Sequence, residues 1–226
     1  MSGWSKATLT QNDVVGPGLN RLTLEVPTAV ASGFHVPGQY HRVRAPGGED
    51  ATFAIASAPG TDRFEYLIRE NEGVAGELAS LVPGEVIEVG MPDGPGFPID
   101  RARAHPLLLI GTGTGFAPLR SVIRALMKHR KTYGEVHGAY GVLTPAHLAF
   151  APEMAEWEQA NIHITPTVTG PSPEWKGAVG QVQALLARLP MENAIAFLCG
   201  QNEMVQQVTS LLEQQGVPAD RVFVNF

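Results

Sequence analysis

Cysteine is almost absent from this chain. Cys199 is the one cysteine in 226 residues, which excludes an internal disulfide and any four-cysteine zinc or iron–sulfur site built by this chain alone. Charge is sparse as well, at 17% of residues, and the 16 Lys and Arg against 22 Asp and Glu leave a net charge of −6 with no run of basic residues. A nucleic-acid surface and a polybasic membrane patch are therefore excluded. Partners that are themselves basic gain a mild preference. Long apolar runs are missing too: none approaches membrane-spanning length, and the first residues, Met1-Ser2-Gly3-Trp4-Ser5-Lys6, contain no apolar signal-peptide core. The expectation is a cytoplasmic chain without a membrane span. Seven histidines, His35, His41, His105, His129, His137, His147 and His163, show no metal-ligand spacing, so no metal site is expected.

What is present changes character near residues 101–105. Before that point, short runs at 22–26, 40–44, 64–68 and 86–89 alternate apolar and polar side chains. Pro37-Gly38, Pro46-Gly47-Gly48, Pro59-Gly60 and Pro83-Gly84 punctuate them. Such punctuation of alternating strands predicts a small antiparallel barrel. After it, apolar strands at 107–110, 136–141, 163–168, 194–199 and 221–224 alternate with segments of helical periodicity at 119–129, 153–160, 181–189 and 203–215. That order predicts a five-stranded parallel sheet with right-handed crossovers and helices on both faces. The expected division is 1–102 for the barrel and 103–226 for the α/β domain. A chain with 44% hydrophobic residues can bury two such cores.

The most informative stretch is Leu107-Leu108-Leu109-Ile110-Gly111-Thr112-Gly113-Thr114-Gly115-Phe116-Ala117-Pro118. Four apolar residues fit a strand buried on both faces. The glycines let the backbone turn tightly, so that its N–H groups can approach a pyrophosphate at the start of a helix. Pro118 stands where a helix begins, a position that needs no amide donor. The Gly-x-Gly-x-Gly spacing departs from the common dinucleotide fingerprint, and alone it is a weak signal that also admits a merely structural strand-to-helix turn as the lesser alternative.

Further motifs follow in a fixed order: Pro37-Gly38-Gln39-Tyr40, then Ala51-Thr52-Phe53-Ala54-Ile55-Ala56-Ser57, the glycine turn with Ala117-Pro118-Leu119-Arg120, Tyr140-Gly141, Trp175-x-Gly177-x-x-Gly180, and Cys199-Gly200-x-x-x-Met204. In this order the chain resembles the ferredoxin-NADP reductase superfamily over essentially its whole length. It is most similar to a plastid-type subgroup that also carries Ala-Ile-Ala-Ser and a terminal Asn-Phe. The resemblance implies an FAD-type barrel, an NAD(P)-binding domain and hydride transfer from NADH or NADPH to flavin in the cleft between them. Electrons would then leave to an acceptor that the sequence does not name, with a redox protein among the candidates.

The resemblance places Phe53, Ala54, Ile55, Ala56, Ser57, Ile68, Arg69, Gly73 and Gly76 at the flavin. It places Gly111, Thr112, Gly113, Thr114, Gly115, Pro118, Cys199 and Gly200 at the nicotinamide nucleotide. Cys199 would sit beside the nicotinamide, and Phe226 would either stack on the flavin ring or remain a frayed chain end.

Departures from the family pattern matter here. Ala51, Phe53 and Ala54 stand where the family has arginine, tyrosine and serine. Phe53 keeps aromatic packing, while the two alanines remove a charge-assisted contact and a hydrogen bond, together about 2–4 kcal/mol. Gly76 stands where the family has Ser or Thr, leaving backbone N–H groups to hold phosphate. Arg69 could restore part of the lost charge, or be a solvated strand-end arginine. These losses imply modest reductase activity. They also support a rival, a nucleotide- or partner-binding module with little redox chemistry. A third reading, an electron-transfer subunit, would expect a cysteine cluster that this sequence does not contain. Leu143 occupies a position where many relatives carry arginine, and with only Thr144 and His147 nearby the expected nucleotide is NADH. Glu153, Glu156 and Glu158 around Trp157 are expected on a solvated face, and Trp4 and Trp157 in packing roles.

Overall fold

A computed structural model describes residues 3–225. The first half forms one antiparallel sheet from β1 (Ser5–Gly16), β2 (Leu19–Glu25), β3 (Tyr40–Arg44), β4 (Ala51–Ala54), β5 (Arg63–Arg69) and β6 (Val86–Val89), in the order β4-β3-β6-β1-β2-β5. The sheet curls on itself: the Ala56 N–H donates to the Glu65 carbonyl at 2.7 Å and brings the chain after β4 onto β5. Alternation sets the inside. Leu22, Leu24, Phe64, Tyr66, Ile87 and Val89 fill the barrel, while Arg63 and Arg69 at the ends of β5 stay in solvent. Two short helices, α1 (Thr28–Ala31) and α2 (Val74–Ser80), lie in its connections.

The second half is a parallel sheet of β7 (Leu107–Thr112), β8 (Val136–Val142), β9 (Ile162–Val168), β10 (Ala178–Val179), β11 (Ile195–Cys199) and β12 (Val222–Val224), ordered β10-β9-β8-β7-β11-β12. The five expected strands are joined at one edge by β10, whose two residues are too few to show a period. Leu107, Leu108, Leu109 and Ile110 are all at most 1% exposed, because each face of β7 has its own core. On one face α3 (Phe116–Lys128) and α4 (Met154–Gln159) pack with Leu109, Tyr140 and Phe197. On the other, α5 (Asn202–Gln214) and the 3-10 segment Val182–Arg188 pack with Leu108, Ile110 and Ala139. The segment expected as a helix at 181–189 is thus wound more tightly.

Leu19, Ala56, Leu67 and Phe97 of the first half belong to the same core as α3, so the two halves meet through apolar contact. No helix of the described residues is long and apolar enough to cross a membrane.

One expectation is overturned. Glu153 does not lie on a solvated face. It is 8% exposed and accepts Arg120 at 2.8 Å and Arg124 at 2.9 Å. Two guanidinium groups supply the partners that make a carboxylate tolerable at that depth.

Candidate functional site

β7 ends where its apolar run meets glycine, and the chain turns through a single 3-10 turn, Gly113–Gly115, into α3. Gly113 takes φ +53°, a left-handed conformation that side chains resist. Gly111 and Gly115 are needed for closeness instead. A Cβ on Gly111 would lie 2.9 Å from the Cys199 carbonyl oxygen and 2.7 Å from Leu119, and one on Gly115 would lie 2.6 Å from the Gly200 Cα. Two chain turns, 111–115 and 199–200, are pressed together at the carboxyl edge of the sheet, where open α/β sheets bind ligands. Pro118 lies buried in the first turn of α3.

A cavity of about 780 Å³ opens at this edge. Thr112, Gly113, Thr114, Gly115 and Gly200 line it on one side, Gly141, Val142 and Leu143 on another, and Gln183, Glu203 and Gln207 on a third. Among the described residues on its wall, Arg69 is the cation and Glu203 the carboxylate. Two buried polar atoms here have no partner, the Thr112 hydroxyl and the side-chain Oε1 of Gln183. Buried polar atoms are rarely left unpaired in a native fold, so two of them on residues that line one cavity fit a polar ligand reached by a small side-chain rotation. The glycine cradle, the two unpaired groups and the arginine together match the chemistry of a dinucleotide.

Cys199 ends β11 opposite Gly111. Burial pushes its thiol up to about 12, against a backbone hydrogen bond to Gly200 that lowers it. The group stays a neutral thiol at any working pH and can pack against or hydrogen-bond a ring without acting as a nucleophile.

The residues assigned to flavin are less gathered. Phe53 and Ala54 on β4 are half-buried, and Phe53 packs partly against the barrel core. Ile55, Ala56 and Ile68 are at most 2% exposed and belong to cores. The Ser57 hydroxyl accepts the Glu65 N–H at 3.3 Å, so it is already used. Gly73, at φ +81°, opens α2. A Cβ on Gly76 would collide with the Asn71 carbonyl oxygen. The hydroxyl-bearing residue of the family pattern is therefore excluded here by the local backbone. What remains is an apolar strand surface and the unbonded N–H groups that begin α2. That donor set fits a flavin dinucleotide held mainly by backbone.

Arg69 departs from its expected surroundings. Its Nη2 lies 3.5 Å from the point a Cβ on Gly113 would occupy, so a barrel residue supplies the cation of the nucleotide cavity. Leu143, 61% exposed, stands on the wall with no basic neighbour from its own loop. Thr144 is occupied by His147, Oγ1 to Nδ1 at 2.7 Å. Phe226 lies outside the described residues. Its neighbour Asn225 is buried and donates to the Gly38 carbonyl at 2.6 Å, which ties this end of the chain to the barrel.

Sequence reasoning missed the polar row in which the Gln183 side chain donates to Gln207 at 2.6 Å and Gln207 donates to Glu203 at 3.0 Å. The i, i+4 spacing of Glu203 and Gln207 just after Cys199-Gly200 was the available signal.

A family model described as the oxidoreductase NAD-binding domain matches residues 109–210. The chain is 32% identical to ferredoxin–NADP reductase B of Sorangium cellulosum over 194 residues, covering 79% of each. It is 33% identical to the gamma subunit of sulfhydrogenase 1 of Pyrococcus furiosus over 197 residues, 83% of this chain and 66% of that one. Among solved structures, a ferredoxin NADP+ reductase from Neisseria gonorrhoeae with bound FAD and NADP superposes with a TM-score of 0.85 at 19% identity, covering 99% of this chain and 98% of the other. Of several curated relatives the chain spans only 54 to 66% of the length.

Proposed function

The chain belongs to the ferredoxin–NADP reductase-like family of FAD/NAD(P)-binding oxidoreductases, and from this membership we propose that it is an NAD(P)H-dependent flavoprotein reductase passing electrons through FAD to a further acceptor. In this reading residues 1–102 carry the flavin and residues 103–226 the nicotinamide nucleotide. The observation that carries it is the cavity at the glycine turn, with its close-packed backbone and the unpaired Thr112 hydroxyl.

Each residue acts by binding or orienting. The backbone at Gly111, Gly113 and Gly115 approaches the nucleotide pyrophosphate, the Thr112 and Thr114 hydroxyls add hydrogen bonds, and Arg69 offsets the phosphate charge. Cys199, uncharged, packs beside the nicotinamide. Phe53 supplies an apolar wall for the flavin, and the turn at Gly73 and Gly76 offers it N–H groups. A flavin held there would supply acceptance of hydride from the nicotinamide and release of electrons singly or in pairs. Leu143 gives a 2′-phosphate nothing to bind, which supports NADH as the nucleotide.

The acceptor is a redox protein in this reading. The resemblance to a hydrogenase gamma subunit supports a partner subunit in that role. Ala51, Ala54 and the blocked position at Gly76 favour one alternative, a nucleotide-binding module without flavin chemistry.

An absorbance spectrum of the purified protein, before and after incubation with FAD, separates the two. Flavin bands that bleach on anaerobic addition of NADH, and less readily with NADPH, are expected. A protein that stays colourless with FAD yet binds NADH would replace the reductase reading with the binding module.

A further inference from the structure

One helix face reaches from the nucleotide turn into the barrel. α3 begins directly after Gly115, and Arg120 lies about 8 Å along it by helical rise. Arg120 is 3% exposed. Its Nε donates to both carboxylate oxygens of Glu153 at 2.9 Å. Nη1 donates to Glu65 at 2.8 Å and to the Ala56 carbonyl at 3.1 Å, and Nη2 donates to Glu65 at 3.3 Å. Burial pulls the guanidinium down, but its bonds to Glu153 and Glu65 outweigh this and leave it raised.

The next residue continues the grip, the Ser121 hydroxyl donating to the Ser57 carbonyl at 2.6 Å, and Lys128 donates to the Pro59 carbonyl at 2.6 Å. Three side chains of one helix thus hold the segment 56–59, the direct continuation of β4. That strand carries alanine at Ala51 and Ala54, with Thr52 as its one polar side chain. Its placement relative to the nucleotide turn is set from the far side, by α3.

We propose that Arg120 is a positioning residue: through Glu65 and the Ala56 carbonyl it couples the end of the flavin-side strand to the nucleotide turn, so that nucleotide binding orders the strand and the two rings meet in register. The coupling stands on contacts within this chain, and its consequence for hydride transfer rests on the reductase reading. A merely structural ion pair would alter stability and leave communication between the sites unchanged.

Arg120→Lys tests this, because an ammonium keeps the charge but cannot span Glu153, Glu65 and a carbonyl at once. In wild-type protein without flavin, saturating NADH should slow amide hydrogen exchange over residues 54–65 about fivefold or more, the lower end of ordinary coupling between sites. In Arg120→Lys that response should fall below about 1.5-fold while NADH affinity stays within about twofold. In FAD-loaded protein the limiting rate of flavin reduction should fall about tenfold, as expected for slight misplacement of the reacting groups.

An exchange response equal to that of wild type in the variant, or a wild-type chain whose segment 54–65 ignores NADH, overturns the proposal. A wild-type protein that takes up no flavin would defeat the reductase reading, and the exchange experiment would still decide the coupling. If Arg120→Lys does not fold, Glu65→Gln weakens the same link from the barrel side while Arg120 keeps its bonds to Glu153 and the Ala56 carbonyl. Its exchange response should be at least halved, and an undiminished response in that variant overturns the proposal as well.

Discussion

Replacing Gly115 by alanine separates conformation from contact at the nucleotide turn. Gly115 has φ −63° and ψ −9°, an ordinary helical conformation, and by propensity alone alanine would be favoured there by about 1 kcal/mol. Contact works the other way. The new Cβ would lie 2.6 Å from the Gly200 Cα, 2.8 Å from the Gly200 nitrogen and 2.9 Å from the Cys199 oxygen, all backbone atoms. Restoring ordinary separations of about 3.6 Å requires the 199–200 turn to retreat by about 1 Å. Overpacking of this kind costs about 1–3 kcal/mol, so the net loss of stability is about 0–2 kcal/mol and the melting temperature should fall by no more than about 8 °C, at about 2–4 °C per kcal/mol.

The larger effect is on binding, since the retreat opens the cradle in which the backbone meets the pyrophosphate. We expect NADH affinity to drop about tenfold or more, equivalent to at least about 1.4 kcal/mol. Gly113→Ala is the matched control. Its nearest contact would be the movable Arg69 side chain at 3.5 Å, but its φ of +53° is strained for alanine, so it should lose about 1–2 kcal/mol of stability with a smaller change in affinity. Calorimetric NADH titration and thermal melting of both variants make the comparison. A Gly115→Ala protein binding NADH as tightly as wild type would refute the close-packed cradle as the recognition element.

Three other outcomes follow from the same geometry. Ala54→Ser should raise the limiting rate of flavin reduction roughly threefold to tenfold, the worth of one hydrogen bond, and stopped-flow traces without gain would show that the missing hydroxyl is not limiting. Leu143→Arg should shift relative affinity toward NADPH by about tenfold or more, because a guanidinium on that wall can pair with a 2′-phosphate; competitive titration with both nucleotides reads the shift. His41 is buried, with Nδ1 3.1 Å from the Gly90 carbonyl and Nε2 2.6 Å from the Tyr66 hydroxyl, and burial lowers its pKa from 6.5 to about 4 against the Gly90 bond that raises it. The unfolded chain therefore takes up the proton first: this group's contribution is complete above pH 6.5 and is lost as pH falls toward 4. The decline is on the order of 3 kcal/mol. Urea unfolding across that range should show uptake of one proton that His41→Gln removes, and an identical pH profile in the variant would reject the assignment.

Much of the architecture was legible from local pattern. Leu107 to Ile110 announced a strand covered on both sides because four consecutive apolar residues leave no solvent face. The Gly111 to Gly115 turn followed from composition, as only glycines permit the approach to Cys199 and Gly200. The alternating barrel runs were legible for the same reason, since side-chain period and exposure are both local. β10 was not, with two residues and no period.

Glu153 shows where local reading fails. Among Met154, Glu156 and Trp157 it looks like one more surface carboxylate. Its burial depends on Arg120, 33 positions earlier, and Arg120 in turn is made tolerable by Glu65, a further 55 positions back. Arg69 shows the same limit from another side. As the last residue of a strand it reads equally well as solvated or as bound to phosphate, and only the packing of the barrel against α3 brings it to Gly113. The two architectures, the glycine turn and the poverty of polar anchors on β4 are written in the order of residues, because these are properties of neighbours along the chain. The tertiary structure alone decided which charges are buried, where Arg69 points and how α3 binds the barrel to the nucleotide turn, because a charge is stabilised by groups near it in space, and those come from distant parts of the chain.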